Sequence, residues 1–161
     1  MGFRTAVVIV SACISILYFS IHGDAQTQKI GVNNGMMGTD LPSQEEVVAL
    51  MKQNNVGKYR TFKAEPSALK AFQNSGIELT VGVANENLAS MASNQNEAIK
   101  WVNDNIVAYP ATNIKYIAVG NEVLGKTDMG QFLVGAMSNI QTALEKANLQ
   151  NKILVSKTTP P

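Results

Sequence analysis

The stretch IAVGNEVLG, residues 117–125, places a glycine, an amide and an acid directly after a short apolar run. The run at 116–119 has the length and composition of a strand that is buried in a parallel sheet. Gly120, Asn121 and Glu122 then mark the point where this strand ends. Such residues are typical of a plain turn, and they are also typical of a ligand site at the carboxyl end of a strand.

The rest of the chain alternates short apolar runs with helical patterns, which indicates a parallel sheet covered by helices. Strands are predicted at five places, namely 29–33, 58–62, 77–83, 116–119 and 152–156. Helices are predicted between and after them, with the first following Ser43 and the others at 66–74, 88–92, 95–107 and 128–147.

Capping signals support three of these helices. Ser43 is followed three residues later by Glu46, which is the spacing of a capping box. Asn94 and Glu97 repeat that spacing, and Asp128 is expected to cap the long last helix.

The order of these elements predicts an α/β fold in which right-handed crossovers connect parallel strands. Both a doubly wound sheet and part of a (β/α)8 barrel fit this order, and a self-contained five-stranded sheet stays open as an alternative. The glycines of NNGMMG, residues 33–38, do not have the spacing of a phosphate-binding loop. A closed barrel takes about 250 residues, whereas this sequence has 161. If the fold is a barrel, residues 26–161 can form only an incomplete (β/α)8 TIM barrel of about five parallel strands with covering helices.

Residues 1–25 have the pattern of a secretory signal peptide. Arg4 precedes the apolar stretch 6–21, and the small residues around Ala25 suit a cleavage site. A transmembrane anchor is the competing interpretation, but the stretch is shorter than the roughly 20 residues needed to cross a bilayer. We expect a secreted protein, located outside the cell, in the cell wall or in the vacuole, with no transmembrane segment in its mature chain.

Composition excludes several classes of function. The formal net charge is only +1, and no basic stripe indicates nucleic-acid binding. The single Cys, Cys13, and the single His, His22, both fall within the predicted signal peptide. A zinc site or a His-based triad is therefore not expected in the mature chain, and we predict neither a metal nor a cofactor. The remaining chemistry must come from carboxylates, Lys, Tyr or backbone groups.

Polar and aromatic residues gather at the predicted strand ends, where parallel α/β folds place their functional groups. Amides, an aromatic ring and carboxylates together suit a neutral polyhydroxylated ligand such as a sugar. We take Glu122 as the candidate catalytic residue and Asn121, Asn34 and Phe62 as candidate substrate-binding residues. The full set at the strand ends is Asn33, Asn34, Phe62, Lys63, Asn85, Glu86, Asn121 and Glu122.

Structural interpretations stand beside these functional ones. The asparagines of the set could serve only as turn residues, because Asn tolerates the left-handed region. Glu86 suits the first turn of a helix through the helix dipole, and Lys63 has the pattern of a solvated loop charge. Trp101 lies at core spacing in a predicted helix, which favours packing over a sugar platform.

Three segments of the chain resemble a known family. They are KIGVNNGMMGTDLPS at 29–43, RTFKAEPSALKAFQNSGIELTVGVANENL at 60–88 and NIKYIAVGNEVL at 113–124. They resemble the amino-terminal half of the plant family 17 glycoside hydrolases, the glucan endo-1,3-β-glucosidases. The resemblance runs from residue 29 to about 156. The third segment is the most specific, because the family's fourth barrel strand ends in Gly-Asn-Glu.

The resemblance favours the incomplete (β/α)8 TIM barrel over the other folds for residues 26–161. It implies a retaining glycosidase acting on β-1,3-glucan, with Glu122 as the acid/base and Asn121 as a sugar ligand. It also implies a second Glu, the nucleophile, after the seventh barrel strand, and no residue here matches that position. Where the family has Tyr-Gly after the first strand, this chain has Asn34 and Gly35, and an Asp usual after the second strand is replaced near Lys63.

These observations leave more than one function open. The first hypothesis is a truncated endo-β-1,3-glucanase sequence that has the acid/base and lacks the nucleophile, and that alone has little activity. The alternative is a non-catalytic β-glucan-binding or interaction protein, whose first and fifth strands would be bare edges. An inactive by-product is a third reading.

Overall fold

The computed structural model describes residues 30–125 and 128–157. The predicted signal peptide, residues 1–25, and the first residue of the first predicted strand, Lys29, lie outside the described residues. Within the described part, five strands form one sheet and every neighbouring pair is parallel. The strands are β1 (Ile30–Asn34), β2 (Val56–Thr61), β3 (Glu78–Val83), β4 (Ile114–Val119) and β5 (Leu154–Lys157).

Strand order separates the two architectures that the sequence leaves open. The order is β1-β2-β3-β4-β5, without reversal. A doubly wound sheet reverses its order at a switch point, so that helices lie on both faces. Right-handed crossovers in an unreversed order place every connecting helix on the same face, as in a (β/α)8 barrel. The prediction of an incomplete barrel of five parallel strands is confirmed.

Helices follow the strands as the alternation predicts. The α-helices are α1 (Gln44–Gln53), α2 (Pro66–Ala71), α3 (Leu88–Ser93), α4 (Gln95–Val102) and α5 (Leu133–Lys146). The predicted helix 95–107 is continuous, but its last part, Asn103–Val107, is wound as a π-helix. Short 3₁₀ turns at Asn85–Asn87 and Asp128–Phe132 precede α3 and α5.

The predicted caps have different outcomes. Ser43 and Glu46 form the capping box, since each side chain accepts from the other residue's backbone N–H. Asn94 caps α4, but it accepts from the N–H of Asn96 and does not form the reciprocal pair expected with Glu97.

The prediction that Asp128 caps the long last helix is wrong. Asp128 begins the 3₁₀ turn, and the α-helix starts five residues later at Leu133. The turn contains Gly130, a residue type that disfavours an α-helix. A Cβ added to Gly130 would lie 3.1 Å from the carbonyl oxygen of Val123, so the turn packs closely on the loop that follows β4.

The core lies between one face of the sheet and the helices. Tyr59 of β2 is 2% exposed and its ring stacks on that of Phe72, with 4.4 Å between the ring centroids. Trp101 is 9% exposed and belongs to the same core, which confirms its predicted packing role. The sheet contributes a row of fully buried side chains to this core, namely Leu79, Val81, Val83, Ile117 and Val119.

The opposite face of the sheet is open in the described residues. Tyr116 and its register partner Leu154 are 43% and 58% exposed, although both are large apolar side chains. Side chains alternate between the two faces of a strand. Arg60 therefore lies on this open face, on the strand that also sends Tyr59 into the core.

None of the helices within residues 30–125 and 128–157 combines the length and the apolar composition of a membrane span. The same residues contain no group of three or more His, Cys, Asp or Glu that could hold a metal ion.

Candidate active site at the carboxyl ends of the second, third and fourth strands

Glu122 lies in the loop after β4, at the carboxyl edge of the sheet, and is half-buried. Its backbone is in the left-handed region, with φ of 53°. Gly120, two residues earlier, also has positive φ, at 69°. A non-glycine residue in this region carries strain, and such strain is found often at functional sites.

Arg60 of β2 connects to this loop. Its Nη2 donates to Oδ1 of Asn121 over 2.9 Å. Burial lowers the pKa of the Arg60 guanidinium from its ordinary value, and the negative charge of Glu122 acts in the opposite direction. Arg60 therefore makes two contacts with this loop. It interacts with the charge of Glu122, and it forms a direct hydrogen bond with the side chain of Asn121, the residue before Glu122.

Phe62 joins the same cluster. The guanidinium carbon of Arg60 lies 4.7 Å from the centroid of the Phe62 ring, which is a cation–π distance. The main chain at Phe62 passes over β3 at Gly82, where an added Cβ would lie only 2.3 Å from the carbonyl carbon and oxygen of Phe62. Glycine at this point lets the main chain that leaves β2 come so close to β3.

Asn85, in the 3₁₀ turn after β3, binds the main chain of Asn121 on both sides. Its Oδ1 accepts from the Asn121 N–H over 2.6 Å, and its Nδ2 donates to the Asn121 carbonyl over 3.0 Å. Asn121 is thus held at its backbone by Asn85 and at its side chain by Arg60.

Asn34 forms its hydrogen bonds with Tyr59 and Met36, outside the cluster around Asn121. Its Nδ2 donates to the Tyr59 hydroxyl, and its Oδ1 accepts from the backbone N–H of Met36 over 3.1 Å. The Tyr59 hydroxyl in turn donates to Oε1 of Gln44 over 3.0 Å. This network ties the end of β1 to α1. A substrate role for Asn34 stays a prediction.

The open face of β1 presents a different asparagine at this edge. Asn33 is exposed and is the register partner of Arg60, whereas Asn34 pairs with Thr61. Because side chains alternate along a strand, Asn33 shares the face of Arg60.

The turn interpretation of these asparagines holds in part. Asn34 accepts from the Met36 N–H two residues on, as in an Asx turn, but the left-handed conformation is not used. Among the described non-glycine residues with positive φ are Glu122 and three asparagines at 55, 74 and 148. Asn34, Asn85 and Asn121 are not in that conformation. The residue that makes the left-handed turn is the acid itself.

Two other strand-end residues keep structural roles. Glu86 lies in the first turn of the 3₁₀ helix before α3. Lys63 is 62% exposed at its side chain and forms an ion pair with Glu65 over 3.1 Å.

Two residues hold Asn121. Sequence patterns do not single out Arg60, and they place Asn85 only among the polar residues at the strand ends. Arg60 stands in KYRTF between Tyr59 and Thr61, which are both buried, and Lys58 of the same strand is also a cation, so the sequence does not separate the two. Asn85 carries no local signal that separates it from a turn residue. Together these groups supply one carboxyl group, a cation, amides and an aromatic ring at one edge, which suits protonation of a bound polar ligand.

The sequence profile of the glycosyl hydrolases family 17 matches residues 30–160. The chain belongs to this family. The profile covers all five strands of the sheet and the cluster around Glu122.

Curated family 17 relatives are glucan endo-1,3-beta-glucosidases. A probable enzyme of this name from Arabidopsis thaliana is 41% identical over 144 residues, which are 89% of this chain and 41% of the relative. The enzyme from Pisum sativum is 42% identical over 137 residues, which are 83% of this chain and 36% of the relative. The chain thus spans about two fifths of the length of these relatives.

Solved structures of the family have the same fold over this part. CJP38, a beta-1,3-glucanase and allergen of Cryptomeria japonica pollen, superposes with a TM-score of 0.79 at 57% identity, over 82% of this chain and 42% of its own. A plant beta-glucan endohydrolase superposes with a TM-score of 0.77 at 37% identity, over 81% of this chain and 42% of its own.

Proposed function

We propose that this family 17 chain carries the proton-donor half of a retaining endo-β-1,3-glucanase site that cleaves β-1,3-glucan. Glu122 is the acid/base, Asn121 binds the sugar, and Phe62 lines the cleft. The observation that carries the proposal is the position of Glu122 at the carboxyl end of β4, next to Asn121 and in the field of Arg60. The relatives named as glucan endo-1,3-beta-glucosidases support the substrate.

The chemistry explains why a carboxyl group is needed there. A glycosidic oxygen leaves poorly unless it is protonated, so a carboxylic acid must meet it in its neutral form. The acid also needs a partner about 5 Å away, which attacks the sugar carbon and forms the covalent intermediate. The family resemblance puts this nucleophile after a seventh strand, and the described sheet has five.

Asn121 is oriented for a sugar contact. Its Oδ1 already accepts from Arg60. The amide plane is therefore fixed, and its Nδ2 is the group that donates to a sugar hydroxyl. Phe62 offers an apolar surface for a sugar ring, and its half-buried side chain is kept in place by Arg60.

The test separates proton donation from binding by varying the leaving group. The chain is supplied with azide as an external nucleophile and with two aryl β-laminaribiosides, a phenyl glycoside that needs protonation and a dinitrophenyl glycoside that does not. Glu122→Gln should lower azide-dependent cleavage of the phenyl glycoside by about 100-fold or more and should leave the dinitrophenyl glycoside nearly unchanged. Glu86→Gln, an exposed acid after the neighbouring strand, is the matched control.

Equal rates for Glu122→Gln and the unchanged chain on the phenyl glycoside would overturn the role of Glu122. The catalytic role of Glu122 would also be overturned if a folded chain bound laminaripentaose but gave no azide product. That result would describe a protein that binds glucan without cleaving it. Without azide we expect little turnover of laminarin.

We also propose that the protein is secreted, on the basis of the signal pattern at 1–25. A reporter fused after Ala25 should appear in the culture medium. Retention of the reporter inside the cell would contradict secretion.

A further inference from the structure

The hydrogen-bond ladder between β3 and β4 continues past the end of both strands through a side chain. The last main-chain bond runs from the N–H of Gly120 to the carbonyl of Val83 over 3.0 Å. One residue further, the amide of Asn85 takes the place of a peptide group and binds both the N–H and the carbonyl of Asn121. The side chain therefore holds Asn121 as a neighbouring strand would hold it.

Asn121 needs this support because of its neighbours. Gly120 before it and Glu122 after it both have positive φ, so the backbone reverses its conformation on either side of a single residue. A left-handed conformation in a non-glycine residue persists where the surroundings over-determine it. The two hydrogen bonds from Asn85 fix both peptide planes of Asn121, and the second of these planes is the one that leads into Glu122.

The Asn85 side chain is committed to this contact. Both of its polar atoms are used on Asn121, which lies 36 residues away in sequence. Neither atom serves the 3₁₀ turn in which Asn85 itself lies. A residue that served only to form the 3₁₀ turn would not need an amide group directed at Asn121.

We propose that Asn85 is a positioning residue, which clamps the Asn121 peptide and thereby holds the Glu122 backbone in its left-handed conformation, with the carboxyl group close enough to Arg60 for a charge interaction. The catalytic meaning of this clamp rests on the proposed function, whereas the clamp itself does not. Arg60 completes the arrangement from the other strand, because it holds the Asn121 side chain. The acid thus follows a residue that is fixed at its backbone by one strand end and at its side chain by another.

The test reads the clamp without a substrate, by NMR on the 161-residue chain. Asn85→Ala should raise the exchange rate of the Asn121 backbone N–H by about tenfold, as expected for the loss of one hydrogen bond. The same variant should move the HN–Hα coupling and the Cα shift of Glu122 away from left-handed values. Asn87→Ala, in the same 3₁₀ turn, is the matched control and should change neither signal.

Asn85→Asp keeps the acceptor for the Asn121 N–H and removes the donor to the Asn121 carbonyl. It should restore protection of the Asn121 N–H while the Glu122 signals remain shifted. If Asn85→Ala does not fold, the Glu122 signals of Asn85→Asp still test whether Asn85 clamps the Asn121 peptide. The clamp would be overturned if Asn121 exchange and the Glu122 signals in Asn85→Ala equalled those of Asn87→Ala. It would also be overturned if the Glu122 signals in Asn85→Asp equalled those of Asn87→Ala.

The consequence for catalysis is measured separately, with azide and the two aryl glycosides. Asn85→Ala should lower cleavage of the phenyl glycoside by at least about tenfold more than cleavage of the dinitrophenyl glycoside, which is the selective loss expected when a proton donor is displaced. If the Glu122 signals move and this ratio does not, the clamp exists and the proposed catalytic role of Glu122 fails. If neither the Glu122 signals nor the ratio of the two cleavage rates changes, the clamp is refuted. The catalytic role of Glu122 is then tested by Glu122→Gln alone.

Discussion

Arg60 and Asn121 are 61 residues apart in sequence and are joined by a hydrogen bond of 2.9 Å. Arg60 lies on β2 and Asn121 follows β4, so this bond spans the whole width of β3. It is the contact that connects the second strand to the residue next to the candidate acid.

Replacement of Arg60 should weaken the folded state as well as the site. Arg60→Met removes the hydrogen bond to Asn121 and the contact with Phe62, and we expect it to lower the free energy of unfolding by about 1 kcal/mol. Arg60→Lys should recover only part of this, because an ammonium group lacks the planar fork of a guanidinium. Urea denaturation measures the change. Lys58→Met, at an exposed position on the same strand and face, is the control, and an equal loss in both variants would contradict the prediction.

Gly82 should tolerate no side chain. In Gly82→Ala the new Cβ would lie 2.3 Å from the carbonyl carbon and oxygen of Phe62, and a backbone group cannot move aside as a flexible side chain can. We expect a loss of at least about 3 kcal/mol in the free energy of unfolding. The matched control is Gly35→Ala, whose added Cβ meets nothing closer than 3.9 Å and whose φ is not positive. Thermal unfolding of both variants checks this, and similar melting temperatures would refute it.

The Tyr59 hydroxyl should ionise late in an alkaline titration. Burial raises its pKa, the hydrogen bond from Asn34 works against that rise, and the charge of Glu65 adds to it. Because the folded state favours the neutral phenol, this contribution to stability is present below the unfolded pKa of about 10 and is lost as the pH rises through the folded value. In a titration of tyrosinate absorbance, Tyr59→Phe should remove the latest phase.

The control for this titration is Tyr116→Phe, which removes an exposed phenol. It should leave the latest phase in place. Loss of the same part of the curve in both variants would show that Tyr59 has no distinct ionisation.

The first helix should weaken at acid pH through Glu46. Hydrogen bonds from the backbone N–H and the hydroxyl of Ser43 hold the pKa of the Glu46 carboxyl below its ordinary value. A lowered folded pKa means that the contribution to stability is present above the unfolded pKa of about 4.3 and is lost as the pH falls through the folded value. Glu46→Gln should therefore flatten the dependence of the urea midpoint on pH in this range. An unchanged slope in Glu46→Gln would contradict the prediction.

Local patterns predicted most of the elements. Short runs rich in apolar, β-branched or aromatic residues located all five strands to within a few residues, because such runs favour an extended chain between turn residues. The capping box at Ser43 and Glu46 was also legible, because it depends on residues three positions apart. The start of the last helix was not, because the packing of Gly130 against the loop after β4 competes with the capping signal of Asp128.

The sequence by itself determined the family, the strand-helix alternation and the place of Glu122 at a strand end, because these depend on contiguous residues. Only the tertiary structure decided that the strand order runs without reversal, that Arg60 and Asn85 hold Asn121 from two sides, and that the Asn34 amide serves Tyr59. Those pairings join residues 25, 36 and 61 positions apart. These residues meet because of the register of the parallel strands and because Gly82 lets the main chain at Phe62 approach β3. Neither property can be inferred from a local stretch of the chain.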